Sequence, residues 1–433
     1  MNLRNIALFA VVACLFLLTG YFKSWIFSLS ILNMSLLSAI MALGVNMQWG
    51  YAGLFNTGIM GFTALGGLAV VVTSSKPVNG AWTAGGPGIL LSLFLGAATI
   101  AAAVFLYKRM TPGKARNLTM IALLVGGFFL FRYIFDPAVT AVEAIDPTTS
   151  GNIGGLGLPA LVAWPMGGIL AAIAAWAIGK TALGLRSDYL AIATLGIAEI
   201  IIAVMKNEDW LARGVKNIIS LPRPWPVPYE VDLQVNPGFL GWAQSWGFDP
   251  VTGSSILVKL LYAGLFTLVL LAILWASELA LRSPWGRMMR AIRDNEIAAA
   301  AMGKNVTRRH LQIFIIGSAI VGLAGAMMTT MDGQLTPGGY NPLRYTFLIW
   351  VMVIVGGSGN NWGSVLGGLL IGWLWLIVED FGPIVMQTLT GFLSDGALKS
   401  HLIDSAQHMR LLSLGVILLL VLRFSPRGLI PEK

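Results

Sequence analysis

Charge is scarce in this sequence. Asp, Glu, Lys and Arg make up 11% of its 433 residues, less than half of the roughly 25% carried by ordinary soluble domains, and that scarcity excludes a water-soluble globule. Cysteine occurs once, as Cys14 inside the first apolar run, so neither an intramolecular disulfide nor a thiolate metal cluster can form. Histidine occurs three times, as His310, His401 and His408, which does not supply the convergent acids, bases or ligands that metal or nucleophilic catalysis requires. A phosphate-binding loop is missing too. Gly179-Lys180-Thr181 has the ending of one, but Ala174 stands where its first glycine belongs and the preceding residues read as apolar helix rather than strand, so no nest of backbone amides can form. Gly155 to Ala160 imitates a dinucleotide fingerprint, yet Pro159 falls where the helix should be starting, and the stretch reads as a turn cluster. No catalytic residue, metal site or bound cofactor is expected of this chain.

What the sequence has in abundance is apolar length. Hydrophobic residues reach 56% and glycine numbers 51, a composition suited to helices packed closely in lipid. At about 20 residues per crossing, twelve runs qualify as candidates: 6–22, 26–48, 51–73, 88–107, 117–135, 160–179, 189–205, 256–281, 311–331, 345–355, 362–378 and 409–422. The first is expected to be a retained span rather than a cleaved leader, because Tyr21, Phe22 and Lys23 offer no small-residue cleavage site and another apolar run follows at once. The expected fold is all-α, a single polytopic membrane helix bundle over 1–433 with about 10 to 12 spans, broken or short helices included. Run 345–355 is only about 16 Å long as a helix and is the candidate for a half-helix.

The net charge of +9 reports orientation rather than a nucleic-acid partner. With every run crossing, one side collects Arg4, the Lys108–Arg116 group, Lys180, Arg186, the seven basic residues of 282–310, Arg423, Arg427 and Lys433. The other side collects Asp136, Glu143, Asp146, Glu208, Asp209, Glu230, Asp232, Asp249, Asp332, Glu379, Asp380, Asp395 and Asp404. Basic residues favour the cytoplasmic face, so both termini and 282–310 are expected there. The longest segment opposite, 206–255, is rich in proline and tryptophan and reads as an ordered external loop, resting at the headgroups or receiving an external partner.

Three features stand out. Glu199 lies eleven residues past Asp188, about 16 Å deep in a helix, where an ionisable group is a functional candidate; a structural hydrogen bond is the plainer reading. Two glycine-rich breaks, Trp49 to Gly53 with Asn56-Thr57-Gly58, and Gly356 to Gly363, fall between spans on the cytoplasmic side. They read as tight turns or as the irregular backbone that transporters place at gates, with Asn56, Gly58, Gly196, Gly359 and Asn360 as candidates beside Glu199 for the translocation path. Segment 282–310 predicts two short helices. Ser283-Pro284 opens the first, whose Arg287, Arg290 and Arg293 form a basic face. Asn295 caps the second, Glu296 favours its positive end, and Gly303 stops it. Ala299 and Ala300 are expected to point outward, making a smooth face for a protein groove; a helix lying in the headgroups is the other reading.

Several of these stretches resemble the LivM type of permease subunit in ABC importers of branched-chain or other hydrophobic amino acids. The resembling residues are Gly50 to Gly58, Leu185 to Gly196, Ser283 to Arg308, Gly356 to Gly363 and Ser425 to Leu429. The resemblance implies a multi-pass permease in a bacterial inner membrane, paired with a homologous second permease subunit. It also implies two cytoplasmic ATPase subunits that use ATP and Mg, and a periplasmic amino-acid-binding protein. Glu296-Ile297-Ala298 with Gly303 is similar to the loop by which ABC permeases dock their ATPases, which assigns Arg287, Arg290, Arg293, Asn295, Glu296, Ala299, Ala300 and Gly303 to coupling. A urea or amide importer of the same family stays open, as does a proton-coupled secondary transporter using Glu199.

Overall fold

A computed structural model describes residues 3–146, 151–392 and 396–432; Asp395 and Lys433, two of the charges used for orientation, lie outside them. The helices, in order, are α1 (Leu3–Phe22), α2 (Trp25–Ala52), α3 (Ile59–Ser74), α4 (Asn79–Ala84), α5 (Gly86–Arg109), α6 (Lys114–Glu143), α7 (Ala160–Ala182), α8 (Ser187–Asn207), α9 (Asp209–Ala212), α10 (Glu230–Val235), α11 (Pro237–Ser245), α12 (Pro250–Arg282), α13 (Pro284–Asp294), α14 (Glu296–Ala301), α15 (Val306–Asp332), α16 (Leu348–Gly356), α17 (Asn361–Leu389), α18 (Ala397–Asp404) and α19 (Met409–Phe424). A π-turn, Leu343–Phe347, leads directly into α16. Every apolar run finds a helix. Among the described residues nine are long and apolar enough to cross a membrane, while Ile59–Ser74 and Leu343–Gly356 are shorter and α18–α19 form a pair bent by 62°.

The bundle is built around α2, which is apolar all round and is correspondingly buried on nearly every side by α12, α15, α16 and α17. Its amides reach across to neighbouring helices: Asn33 Nδ2 donates to Lys259 O of α12 at 3.0 Å, although Asn33 Oδ1 and Ser35 Oγ are buried without a partner. Where α3, α7 and α15 cross, the side chains are small. Gly66 faces Gly322 O, and Gly322 in turn faces Gly167 O at distances that leave no room for a methyl group. This close backbone approach supplies the dispersion contacts that hold helices together in lipid, where no hydrophobic driving force separates one helix from another.

Two parts sit outside this core. The α5–α6 hairpin packs on itself and, at the end holding Gly86 and Glu143, on α4 and α9 through a small cluster that includes Ile89, Phe135, Val142 and Trp210. Segment 206–255 is tied to the bundle: Ile218 pairs with Leu335, Leu221 N donates to Gly333 O, and Arg223 bridges to Glu230 at 2.8 Å. It covers the end of α15 opposite to the 282–310 loop. The two chain ends share the latter side, since Arg4 reaches Leu429 O and Asn360 reaches Pro431 O.

Candidate functional site

After Ala52 the chain does not simply turn. Gly53 adopts φ +69° and ends α2, and the next five residues fold back into the bundle until Asn56 lies beside Gln48. Asn56, wholly buried, donates from Nδ2 to Gln48 Oε1 at 2.9 Å and accepts from Gly58 N at 2.9 Å. Gln48 in turn donates to Phe314 O and Ser318 Oγ of α15 at 2.9 and 3.0 Å. Phe314 and Ser318 are eight and twelve residues into α15, so the break sits about 12 to 18 Å along that helix. Asn56-Thr57-Gly58 are thus not a turn at the end of the bundle but lie inside it: the backbone donors and acceptors freed by the break find partners within the protein, which is the condition for irregular backbone in a membrane protein.

The second half-helix starts at the same level. Thr346 Oγ1 donates to Thr57 O at 3.1 Å and accepts from Met60 N at 3.2 Å, while Trp350 Nε1 donates to Asn56 O at 3.0 Å. Thr194 of α8 accepts from Thr57 N at 3.2 Å, and a Cβ on Gly58 would come 2.5 Å from Thr194 O; only glycine fits that approach. From this shared point α3 runs to the 206–255 side and Leu343–Gly356 runs to the 282–310 side. Phe55 and Phe347 leave one flank of the junction open, at 37% and 49% exposure. Discontinuous helices meeting inside the bundle are the arrangement with which transporters form substrate sites and gates.

The break at Gly356 to Gly363 is a tight hairpin at the bundle end. Asn360 Oδ1 caps α17 by accepting from Trp362 N and Gly363 N at 3.0 and 3.2 Å. Gly359 N donates to Asn46 Oδ1 at 2.9 Å, Asn46 Nδ2 to Asn361 Oδ1 at 3.1 Å, and Asn361 Nδ2 to Glu278 Oε1 at 3.2 Å. The C-terminal segment is laid against this turn, with Leu429 N and Ile430 N donating to Val355 O and Gly356 O.

The 282–310 loop is joined to both breaks by one side chain. Arg293 donates to Gly50 O and bridges Glu432 at 2.9 Å and Asp294 at 3.2 Å. Burial opposes its charge, but the hydrogen bonds and charges of Glu432 and Asp294 outweigh that effect and hold the guanidinium's pKa above its ordinary value. Arg290 lines a cavity of about 330 Å³ with Tyr51, Glu278, Gly359 and Glu432, whereas Arg287 is exposed and bonds to Arg282 O. The basic stripe is thus divided: Arg290 and Arg293 turn inward and Arg287 faces out.

Local capping follows the sequence closely at the second helix. Asn295 Oδ1 accepts from Ala298 N at 2.9 Å, and Gly303 has φ +76°, a conformation that costs a β-branched residue about 1 kcal/mol or more. Ser283 differs, because its hydroxyl donates to Ala280 O instead of capping α13. Ala299 differs as well: it is turned inward against Ile292 and Val306, because a six-residue helix held by one flank must bury one of its small faces. Ala300 and Glu296 do face out, joined by Ile297 and Met302 at 84% and 79% exposure, two bulky apolar residues that the reading of a smooth alanine face passed over.

The structure therefore brings Asn56 and Gly58 together with Thr194, and Gly359 and Asn360 together with Arg293 through Gly50, Asn46 and Glu432. It does not bring Gly196 and Glu199 into either group. Both lie on the exposed outer face of α8, opposite the face on α3. Sequence reasoning missed Asn46, Gln48, Thr346, Asn361 and Glu278; the available signal was the presence of polar amides inside otherwise apolar runs.

Comparison with known proteins decides the family. Residues 138–422 match the family model described as the permease component of branched-chain amino acid transport systems. The chain belongs to this family. It is 31% identical over 230 residues to the high-affinity branched-chain amino acid transport system permease protein LivM of Salmonella typhimurium, and 31% identical over 234 residues to that of Escherichia coli, in each case over 53% of both chains. It thus spans about half the length of these two curated relatives. A probable LivM of Methanocaldococcus jannaschii is 27% identical over 335 residues, covering 74% of this chain and 85% of the relative. No solved structure matches. Family membership and the apolar helices together make this a multi-pass membrane permease chain. The matched region contains α8, the 282–310 loop, Leu343–Gly356 and the Gly356 to Gly363 hairpin, and begins after most of the α5–α6 hairpin.

Proposed function

We propose that this chain is a membrane-spanning subunit of an ATP-driven importer of branched-chain or other hydrophobic amino acids in a bacterial inner membrane. Both termini and the 282–310 loop are cytoplasmic, and the 206–255 segment faces the periplasmic binding protein. A homologous second permease subunit completes the pathway, and two ATPase subunits hold the ATP and Mg that this chain does not bind. The observation that carries the reading is the Arg293 contact, which ties the exposed α13–α14 element to Gly50 O and the C-terminal segment. Ile297, Ala300 and Met302 offer the ATPase an apolar patch at the tip of that element. A displacement of the tip then moves Arg293, and with it the ends of α2 and α16 that lead into the junction. No covalent chemistry falls to this chain; its work is to change which side of Asn56-Thr57-Gly58 is accessible.

The test is co-expression with the ATPase, second permease and binding-protein subunits of a branched-chain amino acid importer from the same source, followed by reconstitution. Binding-protein-dependent, ATP-dependent uptake of labelled leucine or valine supports the reading. Uptake that persists without ATP and collapses with a protonophore replaces it with a secondary transporter, and uptake of urea or amides with no amino-acid transport moves the substrate.

A further inference from the structure

The α5–α6 hairpin takes no part in the junction, and its turn carries features that the transport reading leaves unused. Residues 108–116 hold Lys108, Arg109, Lys114 and Arg116 without an acid among them. Lys114 and Arg116 begin α6, at the positive end of its dipole, where Gly113 provides no side-chain cap and no acidic residue is present in the first turn. Arg116 is stacked over Tyr107 at 4.4 Å, and its Nε is buried without a hydrogen-bond acceptor. Beneath this cluster, between the two helices, runs an open groove of about 530 Å³ with Ala103, Val104, Ile121 and Leu124 as its floor and Lys108 and Asn117 at its mouth.

We infer that this groove binds an anionic phospholipid, with an acyl chain along the floor and the phosphate at the mouth. The phosphate accepts from Lys108 and from the free first-turn amides of α6, and the Arg116 guanidinium, stacked over the groove-lining Tyr107, adds its charge beside it. It offsets a local excess of positive charge that no side chain of the turn relieves. A lipid is favoured over a soluble anion because the floor is apolar and open to the bilayer. An anionic headgroup is favoured over a zwitterionic one because a choline would be set among four cations.

Titration of the purified full chain with phosphatidylglycerol and with phosphatidylcholine, counted by native mass spectrometry, tests it. Phosphatidylglycerol is expected to occupy one site well before phosphatidylcholine does. Arg116→Gln and Lys108→Gln should each weaken that site about fivefold, from about 1 kcal/mol per basic residue near a headgroup. Arg116→Lys should retain most of the affinity, and Arg423→Gln, a basic residue on α19, should retain all of it. Equal binding of the two lipids, or unchanged affinity in both glutamine variants, overturns the proposal. So does displacement of the lipid by millimolar inorganic phosphate, which would make this a site for a free anion. Cross-linking of the Lys108→Cys variant to another protein subunit in the assembled complex also overturns it, because the basic turn would then be a protein contact.

Discussion

Replacing Gln48 by leucine, nearly the same in volume, removes the amide that Asn56 leans on while leaving little cavity. Asn56 is wholly buried and its Nδ2 has Gln48 Oε1 as its partner, so the substitution leaves a donor without an acceptor. In proteins generally such an orphan costs about 1–3 kcal/mol. Hydrogen bonds between membrane helices average nearer 0.6 kcal/mol and reach about 1.7, so a loss of about 1–2 kcal/mol is expected. Phe314 O adds little, because as a carbonyl inside α15 it keeps its helical partner. The sharper measurement is a double-mutant cycle with Asn56→Leu, read by reversible unfolding in mixed detergent micelles and by hydrogen exchange at residues 53–58. If the two amides act as one unit, the double variant costs less than the sum of the single ones by about 0.5–1.5 kcal/mol. Additivity within about 0.3 kcal/mol, with unchanged exchange at the break, would refute the idea that Gln48 holds the fold-back of Asn56.

Four further outcomes are expected. Ile297→Asp, which removes a hot-spot anchor, and Ala300→Arg, which puts a bulky charge in its groove, should leave membrane level unchanged and reduce ATPase co-purification about tenfold. Ala299→Arg should instead loosen α13 and α14 themselves, seen as faster proteolysis of 282–310 in the chain alone. Glu199→Gln should assemble normally and lower uptake several-fold if the outer face of α8 borders the pathway; wild-type uptake would dismiss a charged role. The chain without its partners should show no saturable ATP binding at micromolar levels, because Lys180 and Thr181 lie on the continuous helix α7; binding abolished by Lys180→Ala would contradict this.

How much of this was legible in the sequence depended on how local the cause was. Apolar runs located the twelve helices, because burying a backbone in lipid dictates helix wherever about 20 apolar residues follow one another. Asn295 and Gly303 marked α14, since a cap and a left-handed stop act within one turn of the chain. The depth of Asn56 was hidden because the residues that fix it, Thr194, Ser318, Thr346 and Trp350, are far away in sequence. Ala299 and Ala300 have the same side chain, so only tertiary packing separates the buried one from the exposed one. Glu199 presents the same difficulty in another form. Its helix exposes Ile192 and Ile200 as readily as it buries Ile202, because a helix facing lipid needs no polar face, and periodicity then carries no direction.

Arg293 links the 282–310 element to both breaks. Arg293→Gln removes the charge that holds Glu432 and weakens the contact to Gly50 O, without touching the exposed apolar tip of α14. In proteoliposomes containing the complete importer, simultaneous measurement of ATP hydrolysis and leucine uptake tests that link directly. The expected result is ATPase subunits bound and hydrolysing while the number of leucine molecules carried per ATP falls sharply. An unchanged ratio of uptake to hydrolysis in Arg293→Gln would contradict it.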